Sequence, residues 1–175
     1  MSILKWLGLE GAPAAAPGET ETVRKIAREL ESMDPAQARA VAAFAYVLSR
    51  VAGADLGISA EETAAMERLV RERAGFGEAE AVMVVEIARA QHTLFAGSEN
   101  FLVTREFARI ASREEKLALV DALFAVASAD RSIRTREENE IRAISSELGL
   151  DHGDYIAVKS RYRQHLEVLK RDDPA

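Results

Sequence analysis

Ala54-Asp55-Leu56-Gly57-Ile58-Ser59-Ala60-Glu61-Glu62 is repeated, with changes, as Ala129-Asp130-Arg131-Ser132-Ile133-Arg134-Thr135-Arg136-Glu137. In both copies an Asp follows an apolar run, an Ile comes three residues after the Asp, and a Glu comes seven residues after it. A shift of 75 residues, from 55 to 130, superposes Val41–Glu72 on Lys116–Glu147 without a gap. The chain therefore contains an internal repeat centred on two acidic turns.

The residues around each acidic turn predict a pair of helices. Before the first turn, Val41, Phe44, Leu48 and Val51 recur at helical spacing. A lone helical hairpin cannot bury its apolar face, so the two copies are expected to pack together. The sequence predicts an all-α, internally duplicated bundle of about seven to eight helices, related by a pseudo-twofold axis.

Composition supports this fold class and excludes several kinds of site. The chain has 175 residues, 48% of them hydrophobic, with few Gly and Pro residues, and no run alternates as a strand would. Cysteine is absent, which excludes disulfides, thiolate metal sites and a Cys nucleophile. The net charge of −6 argues against binding to nucleic acid. Three scattered His residues and the lack of a phosphate-binding loop give little support to an enzyme, so we expect none.

The chain divides into a short leader and one domain. Residues 1–19 hold an apolar segment, Met1–Glu10, and a Pro/Ala/Gly linker. The segment is expected either to fold back onto the domain or to dock on a membrane surface or a partner. Residues 20–175 form a single helical domain, with repeat halves at about 34–91 and 100–169. We find no secretory signal and expect a cytoplasmic protein, with membrane association as the alternative.

Local signals predict where the helices begin and end. Asp34 and Pro35 predict an N-cap and a first helical residue, and Ser112 begins a capping box. His92 to Gly97 is expected to be a connection, and a single last helix is expected from Gly153 to about Leu169. Basic residues on that helix are interpreted as a solvated face rather than an anion site. The side chains that helical spacing turns toward the core at these places are Ile110, Ile156, Tyr162, Leu166 and Leu169.

The acids of the two turns have two interpretations. In the first, they are structural: Asp holds the turn through hydrogen bonds to the backbone, and Glu62 completes a capping box with Ser59. In the second copy the cap is expected to move to Thr135, which would leave Glu137 in register without a capping role. In the second interpretation, Asp55, Glu62, Asp130 and Glu137 meet across the pseudo-dyad and bind a divalent cation.

An all-oxygen site of this kind suits a hard cation, namely Ca²⁺, Mg²⁺ or Mn²⁺. The turns are not EF-hand loops, because Ala60 stands where such a loop needs Gly and Met66 stands where it needs Glu. We expect no other cofactor.

The repeated pattern A-x-A-D-x-x-I-x-x-x-E resembles that of the TerB-like family. This family includes tellurite-resistance TerB proteins and a domain at the start of some membrane-tethered DnaJ-type co-chaperones. The resemblance covers about Asp34 to Leu169. It is carried by Ala52, Ala54, Asp55, Ile58 and Glu62, and by Ala127, Ala129, Asp130, Ile133 and Glu137.

The resemblance implies a duplicated helical fold and a non-enzymatic role in stress response. It also implies divalent-metal binding at the matched acids. The expected partners are proteins, including a membrane-associated stress complex, and a homodimer is left open. The chain departs from the family pattern after each Asp, where Gly is common and this sequence has Leu56 and Arg131. Because Gly accepts a positive φ and Leu and Arg do so only at a cost, these positions are expected to be strained.

Overall fold

A computed structural model of the protein describes residues 28–52, 60–94 and 100–170. Within these residues the chain is an all-α bundle, and the only β-type pairing among them is one isolated bridge. Residues 28–32 are helical. The helices that follow are α1 (Pro35–Ala52), α2 (Ala60–Ala74), α3 (Glu78–Leu94), α4 (Asn100–Ile110), α5 (Arg113–Ala127), α6 (Thr135–Glu147), α7 (His152–Ser160) and α8 (Glu167–Lys170), with a 3₁₀ turn at Arg163–His165 between α7 and α8.

Several helix ends lie where the sequence predicts them. The carboxylate Oδ1 of Asp34 accepts the Ala36 N–H at 2.9 Å, one residue after Pro35 begins α1. The Ser112 capping box is complete: Ser112 Oγ accepts the Glu115 N–H, and the Glu115 carboxylate accepts the Ser112 N–H. The helix α3 runs through Leu94, so the expectation that His92 belongs to a connection is wrong.

The core is built on α1 and α5, the two most apolar stretches. Both present fully buried side chains on most of their turns. The helix α1 packs against α3, α4, α5 and α6, and α5 packs against α2, α6 and α7. Each central helix thus contacts the second helix of the other repeat half, α1 with α6 and α5 with α2. A pseudo-twofold axis that relates the two repeat halves would produce this pair of contacts. The internal duplication itself remains a prediction.

The prediction of one continuous last helix is wrong. The helix α7 ends at Ser160, and residues 163–165 form a 3₁₀ turn before α8. The reason is a pairing with the second acidic turn: the Ile133 N–H donates to the His165 carbonyl at 2.7 Å, and the Glu167 N–H donates to the Ile133 carbonyl at 3.0 Å. A continuous helix would have used those backbone groups internally.

This break also changes which side chains are buried. Tyr162 and Leu166 are buried as predicted, whereas Ile156 and Leu169, predicted to face the core, are each 42% exposed. Tyr155 is buried in their place: its ring and that of Tyr162 lie 5.9 and 5.5 Å from the ring of Phe124. The packing of Tyr155 on Phe124 therefore accounts for the exposure of the neighbouring Ile156 on α7.

One further prediction of burial is wrong, at the end of α4. Ile110 was expected to face the core and is 47% exposed. It is the last residue of its helix, where the chain turns into the Ser112 cap of α5. Across all the described helices, none combines the length and apolar character that crossing a membrane requires.

Replacing Ile133 should show how much the turn depends on the core. We expect Ile133→Ala to lower the free energy of unfolding by about 2–5 kcal/mol, because a fully buried side chain is removed and a cavity is left. Urea denaturation, extrapolated to water, measures the change. The matched control is Ile110→Ala, at an exposed position, which should change stability by no more than about 0.5 kcal/mol. Equal losses in the two variants would contradict the buried role of Ile133.

Candidate functional site: the second acidic turn

The turn between α5 and α6 begins at the C-terminal end of α5, after Ala127. Ser128 is the C-cap, and its N–H donates to the Phe124 carbonyl. The Arg131 N–H then donates to the Ser128 carbonyl at 2.8 Å, and Arg131 has a φ of +66°. This is the left-handed conformation that Gly adopts without strain and that other residues adopt at a cost. The sequence prediction of strain at this position agrees with the observed backbone.

Asp130 stabilises the turn through its side chain. One carboxylate oxygen, Oδ1, accepts the Ser132 N–H at 2.9 Å, which is the hydrogen bond of an Asx turn. Asp130 itself is exposed. Ile133 then enters the core, and its backbone bonds to residues 165 and 167 fix the turn from the other side. The Asp and the Ile of the repeated motif therefore have separate structural tasks in this copy.

Glu137 caps α6, which corrects the sequence analysis. The helix begins at Thr135, so Arg134 is the N-cap residue and Glu137 is the third helical residue. The Glu137 carboxylate accepts the Arg134 N–H at 2.8 Å. The expectation that the cap moves to Thr135 is wrong, because Thr135 is already the first helical residue and Arg134 is the N-cap. Glu137 keeps its register with Glu62, the third residue of α2, because both stand at the same position of a helix start.

The electrostatic environment of Glu137 disfavours its charged form. Burial of the carboxyl raises its pKa, and the Arg134 N–H and side chain partly offset this effect. The negative charges of Asp130 and Glu167 raise the pKa further. Asp130 and Glu167 therefore both act on the charge of Glu137. Glu167 was not among the predicted site residues, since the expected continuous helix gave no sign that residue 167 pairs with residue 133.

The structure tests only part of the predicted four-acid site. Asp130 and Glu137 lie at one turn and interact electrostatically. Asp55 lies outside the described residues, and for Glu62 only the helical backbone is described. Within the described parts of the chain, no group of three or more His, Asp or Glu side chains is arranged to hold a metal ion. A meeting of all four acids across the bundle therefore stays a prediction.

A family model described as tellurite resistance protein TerB matches residues 39–160. This span covers both acidic turns and most of the bundle. The chain belongs to the TerB family. No curated protein and no solved structure gives a significant match.

The matched TerB core contains a charged contact between α1 and α6. Arg50, largely buried near the end of α1, donates to both carboxylate oxygens of Glu147 at 2.7 and 3.0 Å and to Glu140 at 2.7 Å. The same guanidinium donates to the hydroxyl of Thr104, which is fully buried on α4. Burial beside this cluster raises the pKa of Tyr46 to about 12. The sequence signal was Arg50 itself, which interrupts an otherwise apolar stretch of α1.

A second charged contact joins α5 to α2. Asp121 is 7% exposed in the middle of α5, and its carboxylate accepts from Arg161 at 3.1 Å and lies 3.5 Å from the Arg73 guanidinium. The hydroxyl of Tyr162 donates to the Asp121 carbonyl at 3.1 Å. The two networks link the crossed helix pairs, α1 with α6 and α5 with α2. We assign them to fold specificity, because each joins largely buried charges on helices distant in sequence.

Replacing Arg131 should measure the strain at the turn. We expect Arg131→Gly to be more stable than Arg131→Ala by about 1 kcal/mol, because only Gly adopts a φ near +66° without a steric penalty. Both variants remove the Arg side chain and its interactions, so their difference reports on the backbone alone. Urea denaturation of the two variants in parallel measures it. A Gly variant that is less stable than the Ala variant would show that the backbone is not strained there.

The raised pKa of Glu137 predicts how stability depends on pH. An acid whose pKa is higher in the folded state makes the folded state less stable above that pKa and contributes nothing below its ordinary value of about 4.5. We therefore expect Glu137→Gln, which keeps an acceptor for the Arg134 N–H, to melt at or above the wild-type temperature at pH 7. The advantage should disappear below about pH 4.5. Thermal melts of both proteins from pH 3 to 8 measure the difference in melting temperature, variant minus wild type. A difference that is smaller at pH 7 than at pH 4 would contradict the raised pKa of Glu137.

Proposed function

We propose that the chain is a non-enzymatic stress-response module of the tellurite-resistance type that binds a divalent cation at its acidic turns. The proposed ligands are Asp130 and Glu137, together with Asp55 and Glu62. The observation that supports it most is how the described acids use their oxygens. Asp130 and Glu137 each give one carboxylate oxygen to a backbone N–H, and their other oxygens accept no hydrogen bond from the described part of the chain.

The electrostatics of the turn are consistent with a cation. Glu137 carries a charge that burial and the neighbouring acids disfavour, and a bound cation would stabilise that charge. Hard ions take carboxylate and carbonyl oxygens, and Ca²⁺ needs six to eight of them. Two carboxylates of one turn do not complete such a shell, so the acids of the first turn or water molecules would have to supply the rest. The proposed ion is Ca²⁺, Mg²⁺ or Mn²⁺.

A second candidate function is a protein-interaction or membrane-surface adaptor whose acids only cap helices. The hydrogen bonds of Asp130 and Glu137 favour it, because each acid already has a structural task. Both candidates share the expected setting: a cytoplasmic protein, with protein partners that include a membrane-associated complex, or with a second copy of the chain.

A melting experiment on an isosteric variant separates the two candidates. Asp130→Asn/Glu137→Gln keeps acceptors for both backbone N–H groups and removes both charges. If the acids bind a cation, Ca²⁺, Mg²⁺ or Mn²⁺ should raise the melting temperature of the wild type and not that of the variant. At one hundred times the dissociation constant the gain is about 2.7 kcal/mol, or roughly 5–10 °C for a chain of this size.

The other outcomes of the titration are equally specific. An ion that raises the melting temperature of the wild type and the variant alike binds elsewhere, and overturns the proposal for this turn. No shift with any of the three ions favours the adaptor function. The matched variant Asp55→Asn/Glu62→Gln shows whether the first turn contributes, because an unchanged ion response in it would restrict the site to the second turn.

A further inference from the structure

A groove lies beside the second acidic turn, between α6, α7 and α8. Its volume is about 490 Å³, within the range of ligand-binding clefts. We call it the α6–α7 groove. It is lined by Thr135, Glu138, Asn139, Ile156, Lys159, Ser160, Arg163, Leu166 and Leu169.

The α6–α7 groove displays apolar surface that the bundle leaves uncovered. Three large hydrophobic side chains are exposed among the described residues, and two of them, Ile156 and Leu169, line this groove. Exposed apolar residues scattered singly are common, whereas these two share one concave surface. The third, Ile110, does not line the groove.

The charges of the groove leave one cation available. Lys159 and Glu138 form an ion pair with each other. Arg163, on the 3₁₀ turn, is exposed and makes no ion pair with any residue in the described ranges. The groove therefore suits an apolar segment that carries an acidic residue at one end.

The chain itself contains such a segment. Met1–Glu10 places Ile3, Leu4, Trp6, Leu7 and Leu9 within nine residues and ends in its single acid, Glu10. Both this segment and three residues that line the groove, Arg163, Leu166 and Leu169, lie outside the span 39–160 matched by the TerB family model.

The length of chain between the segment and the bundle permits the contact. Residues 10–20, fully extended, span about 33 Å, and residues 20–28 add about 12 Å at the rise of a helix. The linker runs over the surface, and half the circumference of a domain about 40 Å across is about 63 Å. The reach of about 45 Å therefore lets the segment contact most of the bundle surface around residue 28.

We propose that Met1–Glu10 docks in the α6–α7 groove of its own chain, with its apolar side chains on Ile156, Leu166 and Leu169 and with Glu10 near Arg163. Because the segment and the groove belong to one chain, even weak binding between them leaves the groove mostly occupied. A short linker gives an effective concentration on the order of 1 mM, so an isolated affinity of about 0.1 mM leaves the groove about 90% occupied. The proposal is independent of cation binding, since it uses neither Asp130 nor Glu137.

Trp6 gives a direct test, because it is the only Trp of the chain. Its fluorescence in the full-length protein reports on the segment alone. We expect emission at shorter wavelength and weaker quenching by acrylamide than in the urea-unfolded protein. Ile156→Glu/Leu169→Glu should shift the emission toward the unfolded value and restore quenching. The matched control, Ile110→Glu, introduces the same charge at an exposed Ile outside the groove and should leave the emission unchanged.

Each remaining outcome overturns the proposal. A wild-type Trp6 as exposed as in urea shows that the segment does not dock, whatever the variants do. A Trp6 buried equally in all three proteins shows that it docks elsewhere. A shift that grows with protein concentration assigns the contact to a second copy. A shift that needs vesicles of phosphatidylglycerol and phosphatidylethanolamine assigns it to a membrane. Circular dichroism verifies that each variant is folded. Arg163→Glu is a second groove variant, which should weaken docking without introducing charge into the apolar wall.

Discussion

The burial of α1 and α5 governs the rest of the structure. Both helices carry apolar side chains around most of their circumference, and each such side chain contributes about 1.5–3 kcal/mol when it leaves water. One partner cannot cover a helix of this kind, so each central helix needs neighbours on several sides. The five other long helices meet this need, since each of them packs on α1, on α5 or on both.

Burial alone does not fix which helix lies on which side of a central helix, because apolar contacts are not directional. The charged networks supply the direction. Within the described part of the chain, Arg50 on α1 pairs with two acids of α6, and Asp121 on α5 pairs with Arg73 of α2 and with Arg161. An arrangement that separated α1 from α6 would leave the largely buried Arg50 without these acids, which costs several kcal/mol. The charged contacts therefore favour the crossed arrangement over others that would bury the same area.

The sequence predicted what depends on neighbouring residues and missed what depends on distant ones. Helix caps at Asp34 and Ser112 lie within three residues of the backbone groups they satisfy, so the pattern was sufficient. The break after α7 depends on Ile133, some thirty residues earlier, because the backbone of residues 165–167 pairs with it. The spacing of apolar residues within 153–169 gives no indication of that pairing. The exposure of Leu169 follows from the same distant contact, whereas that of Ile156 follows from the packing of Tyr155 on Phe124.

The second acidic turn also shows why a conserved spacing within a repeat cannot by itself identify a metal ligand. Glu137 keeps its distance from Asp130 because one residue caps α6 and the other holds the turn that precedes it. Those tasks fix the positions of the two acids and need only one oxygen of each carboxylate. Asn and Gln would serve the same hydrogen bonds. What the hydrogen bonds do not explain is the negative charge, which burial and the nearby Glu167 make unfavourable at residue 137. Capping therefore explains the positions of the two acids but does not require their negative charge. Cation binding does require that charge. A substitution that removes the charge and keeps the hydrogen bonds of the caps therefore separates the two roles.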